Sequence, residues 1–192
     1  MFDFEVLIRW FDQPILIEFP QNLCVLHEKI MAALLIALNL CSNFIGKEYQ
    51  SMRKLNSVSL EEINKYSKNT LLGHLDIKCV EIGEDYIVAT MPVDHRTHQP
   101  MGLLHGGASA ALIESIGSIG STLLIDLSKE APVGIEINAN HIGSVKTGSV
   151  RAMGKIVHAG SRTHIWQVDI FDEATDRLVC TGRLTVMIVP HK

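Results

Sequence analysis

Residues 98–121 read HQPMGLLHGGASAALIESIGSIGS, and the fold turns on how this stretch is read. After Gly107 the apolar residues, Leu112, Ile113 and Ile116 among them, fall at helical spacing. Glycine in a helix costs about 1 kcal/mol relative to alanine. Yet Gly107, Gly117 and Gly120 stand here with Ala108, Ala110 and Ala111. Small residues in such number thin one face of a helix. The reading is therefore a long helix that a curved sheet, or a second helix, approaches closely, with burial offsetting the loss of propensity.

Beyond the helix the chain is extended throughout. Residues 133–142 and 149–158 form two candidate strands. In residues 162–171, His164, Trp166, Val168 and Ile170 share one face against Gln167 and Asp169. In residues 178–189, Leu178, Cys180, Leu184, Val186 and Ile188 oppose Thr181, Arg183 and Thr185. Such period-2 alternation marks strands with one face on a core and one toward water. The polar residues 172–177 suit a hairpin turn. Upstream, residues 77–93 alternate around Gly83, Glu84 and Asp85 as a two-stranded hairpin would. Ser59 and Glu62 have capping-box spacing ahead of a short helix. Strands in unbroken succession exclude a doubly wound parallel sheet. The fold class is α+β, one antiparallel sheet wrapped around one long helix.

The first fifty residues have a different character. Residues 30–40 read IMAALLIALNL, an apolar run of roughly a dozen where a membrane span needs about 20. No basic region precedes it and no clean small-x-small site comes after it, which argues against a signal peptide. The division expected is an N-terminal extension, residues 1–51, with an amphipathic or buried helix, and a main domain, residues 52–192. With 47% hydrophobic and 20% charged residues, the 192-residue chain can bury a sizeable core. A net charge of −4 makes nucleic acid a poor partner. Cys24, Cys41, Cys79 and Cys180 lack any CxxC pairing and read as reduced core thiols, which favours a cytoplasmic address.

The helix also carries chemistry. Glu114 lies among Leu112, Ile113 and Ile116, where a carboxylate is costly to ionise without partners or a task. Ser118 stands four residues on, over the same face. Gly106 and Gly107 place bare amides at the helix start, where unpaired N–H groups and the dipole favour negative charge. Gln99 and His105 bracket that start and can add donors to an oxyanion. Gly106 and Glu114 are eight residues apart, roughly 12 Å along the axis at 1.5 Å per residue. One carbonyl cannot touch both in one chain. Two helices packed antiparallel across a two-fold axis would bring the start of one to the middle of the other.

Three rival readings are weaker. His95, His98 and His105 lack a further cysteine or acidic residue at zinc spacing, so no metal is expected. Ser109 comes after an HGG segment like a lipase oxyanion loop. But Gly107-Ala108-Ser109-Ala110-Ala111 lacks the last glycine of a nucleophile elbow, and the run of strands contradicts that fold. A non-catalytic acyl-binding module would be marked by loss of the carboxylate, and Glu114 is present.

The stretch DHRTHQPMGLLHGGASAALIESIGS closely resembles the hot dog fold acyl-CoA thioesterases, in the branch acting on 4-hydroxybenzoyl-CoA and 1,4-dihydroxy-2-naphthoyl-CoA. The resemblance runs from about residue 52 to 189 and includes SLEEINKYSKNTLLGHL, VATMPVDHRTHQP and IEINANHIGSV. It implies a helix gripped by an antiparallel sheet, in homodimers that pair into homotetramers. It implies that Glu114 is the catalytic carboxylate, as nucleophile or as base for water, and both roles need it ionised. It implies that Gly106 gives its amide to the thioester carbonyl with Gln99 and His105 assisting, and that Ser118 contacts substrate or water. No separate cofactor is implied, since coenzyme A is part of the substrate. It would lie over His141, Gly143 and Ser144 and over His158, Gly160, Ser161 and Arg162, with Arg162 as phosphate partner. The chain departs from the family at Gly143, where relatives often carry arginine, and at Ser161 and Arg162, which stand in reverse order. Proofreading on an acyl or aryl carrier protein is the alternative activity.

Overall fold

The computed structural model describes residues 5–10, 13–18, 55 and 58–191. The chain divides into two compact units, Met1–Ser51 and Met52–Lys192. In the first, β1 (Glu5–Trp10) and β2 (Gln13–Glu18) pair antiparallel, from Glu5 opposite Glu18 to Trp10 opposite Gln13. This hairpin was not anticipated from the sequence. The helix expected over residues 30–40 lies outside the described residues.

The second unit is built on α3 (Gly106–Thr122), the long helix expected from its spacing. Before it come α1 (Leu60–Tyr66), the short α2 (Leu71–Leu75), and the hairpin β3 (Lys78–Ile82) and β4 (Tyr86–Pro92). Ser59 caps α1 by accepting the Glu62 amide at 3.2 Å, as the capping-box spacing predicts. α2 had no counterpart in the sequence reading. After α3 come β5 (Glu130–His141), β6 (Ser149–Ala159), β7 (Thr163–Asp172) and β8 (Leu178–Pro190). All pairings are antiparallel, in the order β3-β4-β6-β7-β8-β5. Among the described residues β5 is therefore an edge strand, joined to the sheet only through β8.

The core lies between α3 and one face of this sheet. Leu112, Ile113 and Ile116 of α3 are fully buried against Trp166, Val168 and Ile170 of β7 and Leu184 and Val186 of β8. Full burial of such a side chain stabilises by about 1.5–3 kcal/mol, so this shared face carries much of the fold. The small residues divide by position. Gly117 and Gly120 lie under the Trp166 ring, where a Cβ at Gly120 would overlap Cζ2 and Cη2. The ring is fully buried, and its Nε1–H donates to Ser121 Oγ at 3.0 Å. Gly107 is exposed and Ala110 and Ala111 are only half-buried, whereas Ala108 and Ser109 are buried, so burial of the first turns is partial. Among the described residues no helix is long and apolar enough to cross a membrane. Cys79 and Cys180 are buried and free, while Cys24 and Cys41 fall outside the described residues.

Candidate active site

The loop ahead of α3 is fixed by its own backbone. Thr97 is buried; its hydroxyl donates to the Pro92 carbonyl and accepts from the Asp94 amide, both at 3.0 Å. Its carbonyl accepts from His105 N–H at 2.8 Å, which anchors the residue that begins the helix. Arg96 binds both carboxylate oxygens of Asp94 and holds that carboxyl well below the usual carboxylate range. Between these anchors Gly102 turns the chain at φ +72, and its N–H donates to the Gln99 carbonyl at 2.9 Å. Gln99 Oε1 accepts from Met101 N–H at 2.5 Å. With its oxygen engaged there, the Gln99 side chain has its amide protons left to donate elsewhere.

His105 is the N-cap of α3, and its Nδ1 accepts from Gly107 N–H at 2.8 Å. A ring accepting at Nδ1 is neutral and carries its proton on Nε2, so His105 presents a second donor. Neither the helix nor any described residue accepts from the Gly106 amide. The His141 ring stands over Gly106, where a Cβ would come within 2.6 Å of Nε2. Gly106 and His105 thus place two donors at the positive end of α3, where negative charge is favoured, and Gln99 lies in the loop just ahead of them.

Two turns along the helix, Ser118 Oγ–H donates to Glu114 Oε1 at 3.0 Å. The i,i+4 spacing read from the sequence is what joins them. The carboxylate is half-buried and reaches the edge strand, against Gly134 of β5. Ser109 is buried in the first turns of α3, facing the core and not a cleft, which disposes of the nucleophile-elbow reading. Of the three histidines weighed as metal ligands, His98 Nε2 lies 2.8 Å from the Lys146 carbonyl and His105 Nδ1 is occupied by the cap.

The two expected nucleotide segments are not brought together within one chain. His141 pairs with Cys180 of β8, whereas the 158–162 turn leads into Thr163, which pairs with Met187. Seven residues of β8 separate those levels, about 23 Å at 3.3 Å per residue. Ser161 and Arg162 are exposed at one end of the sheet, with Gly160 N–H donating to the Thr163 carbonyl at 2.9 Å. At the other end, Arg177 Nη2 donates to the Ser144 carbonyl at 2.7 Å, and its Nη1 occupies the space a side chain at Gly143 would need. Thr97, Gly134 and Arg177 escaped the sequence reading. The one available signal was a glycine inside a strand, which marks a bulge or a close approach.

Comparison with known proteins gives a consistent picture. The thioesterase superfamily pattern matches residues 101–180. The chain is 49% identical over 132 residues to the 1,4-dihydroxy-2-naphthoyl-CoA hydrolase of Escherichia coli, covering 69% of this chain and 96% of that protein. It is 44% identical over 132 residues to the proofreading thioesterase EntH of Cronobacter turicensis, covering 69% of this chain and 95% of that one. Among solved structures, a mutant thioesterase from Pseudomonas aeruginosa superposes with a TM-score of 0.70 at 39% identity, over 72% of this chain and 99% of that chain. A thioesterase from Haemophilus influenzae does so at 0.68 and 42% identity, over 72% and 96%.

Proposed function

The chain belongs to the thioesterase superfamily and is a thioester hydrolase, and from that footing we propose that it cleaves acyl-CoA thioesters, aromatic ones foremost, to the free acid and coenzyme A. One observation carries the site assignment. The start of α3 holds an acceptor-less amide beside the His105 cap, and a serine-supported carboxylate stands two turns on, with the intervening Ser109 buried. The thioester carbonyl accepts from Gly106 N–H, with Gln99 and His105 as further donors. Ser118 engages Oε1 of Glu114 and leaves Oε2 for the reaction. Oε2 either attacks the carbonyl carbon or takes a proton from the attacking water. In the first course loss of the thiolate leaves a mixed anhydride on Glu114, which water hydrolyses to the free acid and the carboxylate; in the second the attacking water supplies the acid's oxygen directly. In both the C–S bond breaks, and the thiolate leaves with coenzyme A and is protonated.

On this reading the enzyme is a homodimer with shared sites. The exposed edge β5 carries Val133, Ile135 and Ile137 at 44%, 53% and 39% exposure, and its unpaired apolar edge would invite pairing with another strand. Antiparallel pairing with a second copy's β5 about a two-fold between Ile137 and Asn138 would set Gly134 of one chain opposite His141 of the other. Glu114 lies against Gly134 and the α3 start lies under His141, so each site would take its carboxylate from one chain and its donors from the other. The same pairing brings segment 141–144 of one chain to the end of the sheet where its partner carries the 158–162 turn. Coenzyme A would lie there, with Arg162 and Arg177 as cations for its phosphates; Arg177 fills the space left by Gly143. A cytoplasmic enzyme fits the free, buried Cys79 and Cys180.

The test is steady-state hydrolysis of a panel of aryl, short-chain and long-chain CoA thioesters, with an aryl carrier-protein thioester alongside. Glu114→Gln keeps the side-chain shape and removes the base or nucleophile, so kcat should fall by at least about 10²-fold. A Glu114→Gln protein turning over at the wild-type rate would sink the assignment. Faster cleavage of the carrier-protein thioester would move the substrate from acyl-CoA to the carrier.

A further inference from the structure

We propose that Gly134 is a positioning residue for the Glu114 carboxylate, and that a bulge at Ile135 creates the position; this rests on the reading of Glu114 as catalytic. β5 and β8 pair in register as far as Gly134 opposite Val186, and the next pair is Glu136 opposite Thr185. Ile135 is the extra residue. In a regular strand, residues 134 and 136 would share a face. The bulge breaks that parity, as bulges beside reactive sites often do. Gly134 and Ile137 now face α3, level with buried Val186 and Leu184, and Glu136 is turned to the far face. There Glu136 accepts from Thr185 Oγ1 at 3.2 Å and from Asn138 Nδ2 at 3.1 Å.

Two consequences meet at one carboxylate. The bulge keeps the Glu136 charge off the face that Glu114 occupies. It also puts, directly against Glu114, the one residue type with no side chain. A Cβ at Gly134 would overlap Oε1 and lie 3.0 Å from both Cδ and Oε2. The Gly134 backbone is not in the left-handed region, so alanine there carries no backbone strain. What must yield is the tip of Glu114, a flexible side chain. Restoring ordinary contact would push the carboxylate back by about 1 Å, a misplacement that can cost about 10²-fold in rate.

The experiment is a double-mutant cycle on kcat and KM for the fastest thioester of the panel, with melting temperatures for every variant. Gly134→Ala alone should lower kcat by about 10²-fold while KM moves less than about 3-fold. Glu114→Asp withdraws the carboxylate by one methylene and makes room for the new methyl group. Gly134→Ala in that background, followed by single turnover with enzyme in excess, should then change the rate by less than about 3-fold. Equal losses in both backgrounds would overturn the proposal, as would a Gly134→Ala protein with wild-type kcat. A collapse of melting temperature common to Gly134→Ala and the double variant would assign the glycine to the sheet and overturn it too. Failure of the Glu114 reading is seen separately, in a Glu114→Gln protein that keeps its rate.

Discussion

Replacing Gly120 by alanine sets helix propensity against packing. Propensity alone favours the change, because alanine in a helix interior is worth about 1 kcal/mol over glycine. Packing opposes it. The new Cβ would overlap Cζ2 and Cη2 of Trp166 and lie 3.0 Å from Cε2, where ordinary contact begins near 3.4 Å. The ring cannot swing aside, being fully buried and hydrogen-bonded to Ser121. Overpacking a rigid core typically costs about 1–3 kcal/mol, and two overlapping ring atoms place this site at the upper end. The net effect is a loss of about 2 kcal/mol, or about 4–8 °C in melting temperature for a domain of this size. Gly117→Ala is the internal control. Its Cβ overlaps Leu184 Cδ2, the end of a flexible side chain, and lies 3.2 and 3.3 Å from Trp166 ring atoms, only just inside ordinary contact. It should cost less than half as much. Thermal unfolding by circular dichroism, checked by urea midpoints, reads both. A Gly120→Ala protein as stable as wild type, or less harmed than Gly117→Ala, would refute the packing argument.

The site and the core give two more expected outcomes. His105→Ala and Glu114→Gln, each close to inactive alone, should complement when their subunits are exchanged. Random exchange makes about half the dimers mixed, each with one intact site, so roughly a quarter of wild-type activity returns; persistent inactivity after proven exchange would dismiss the shared site. Burial raises the Cys79 and Cys180 thiols from 9.0 to about 11. The native state therefore holds these protons more tightly, and the stability this gives is present below pH 9 and lost as pH rises toward 11. At pH 8, peptide mapping after iodoacetamide treatment should find both unlabelled in native protein and labelled in urea. Labelling of native Cys79 at the denatured rate would contradict its burial.

Local features were legible in the sequence and long-range ones were not. The alternation of His164, Trp166, Val168 and Ile170 fixed both the strand and its buried face, because side-chain parity is a property of the strand alone. The i,i+4 spacing of Glu114 and Ser118 gave their contact for the same reason. Gly117 and Gly120 announced a close approach, but their partner, Trp166, lies 46 residues beyond Gly120 and no periodicity points to it. The bulge at Ile135 was invisible, since VGIEINA reads as unbroken alternation until β8 supplies a register. So was the separation of the two nucleotide segments, which depends on which strand lies beside which. His105 was placed correctly at the helix start, whereas its proton position required seeing the Gly107 amide on Nδ1.

The place of β5 in the sheet has a consequence for synthesis on the ribosome. Among the described residues β5 joins the sheet only through β8, and their pairs run from His141 with Cys180 to Glu130 with Pro190. These contacts span roughly 40 to 60 residues, the long loops that slow folding. At about 5–20 residues per second, β5 emerges some seconds before the strand that receives it. During that wait Val133, Ile135 and Ile137 have neither neighbour, and α3 has no wall on the side of Glu114. The nascent chain therefore exposes these apolar residues just before Glu114 is seated. A chaperone that shields an apolar strand for those seconds would raise the yield of active enzyme without touching its finished structure.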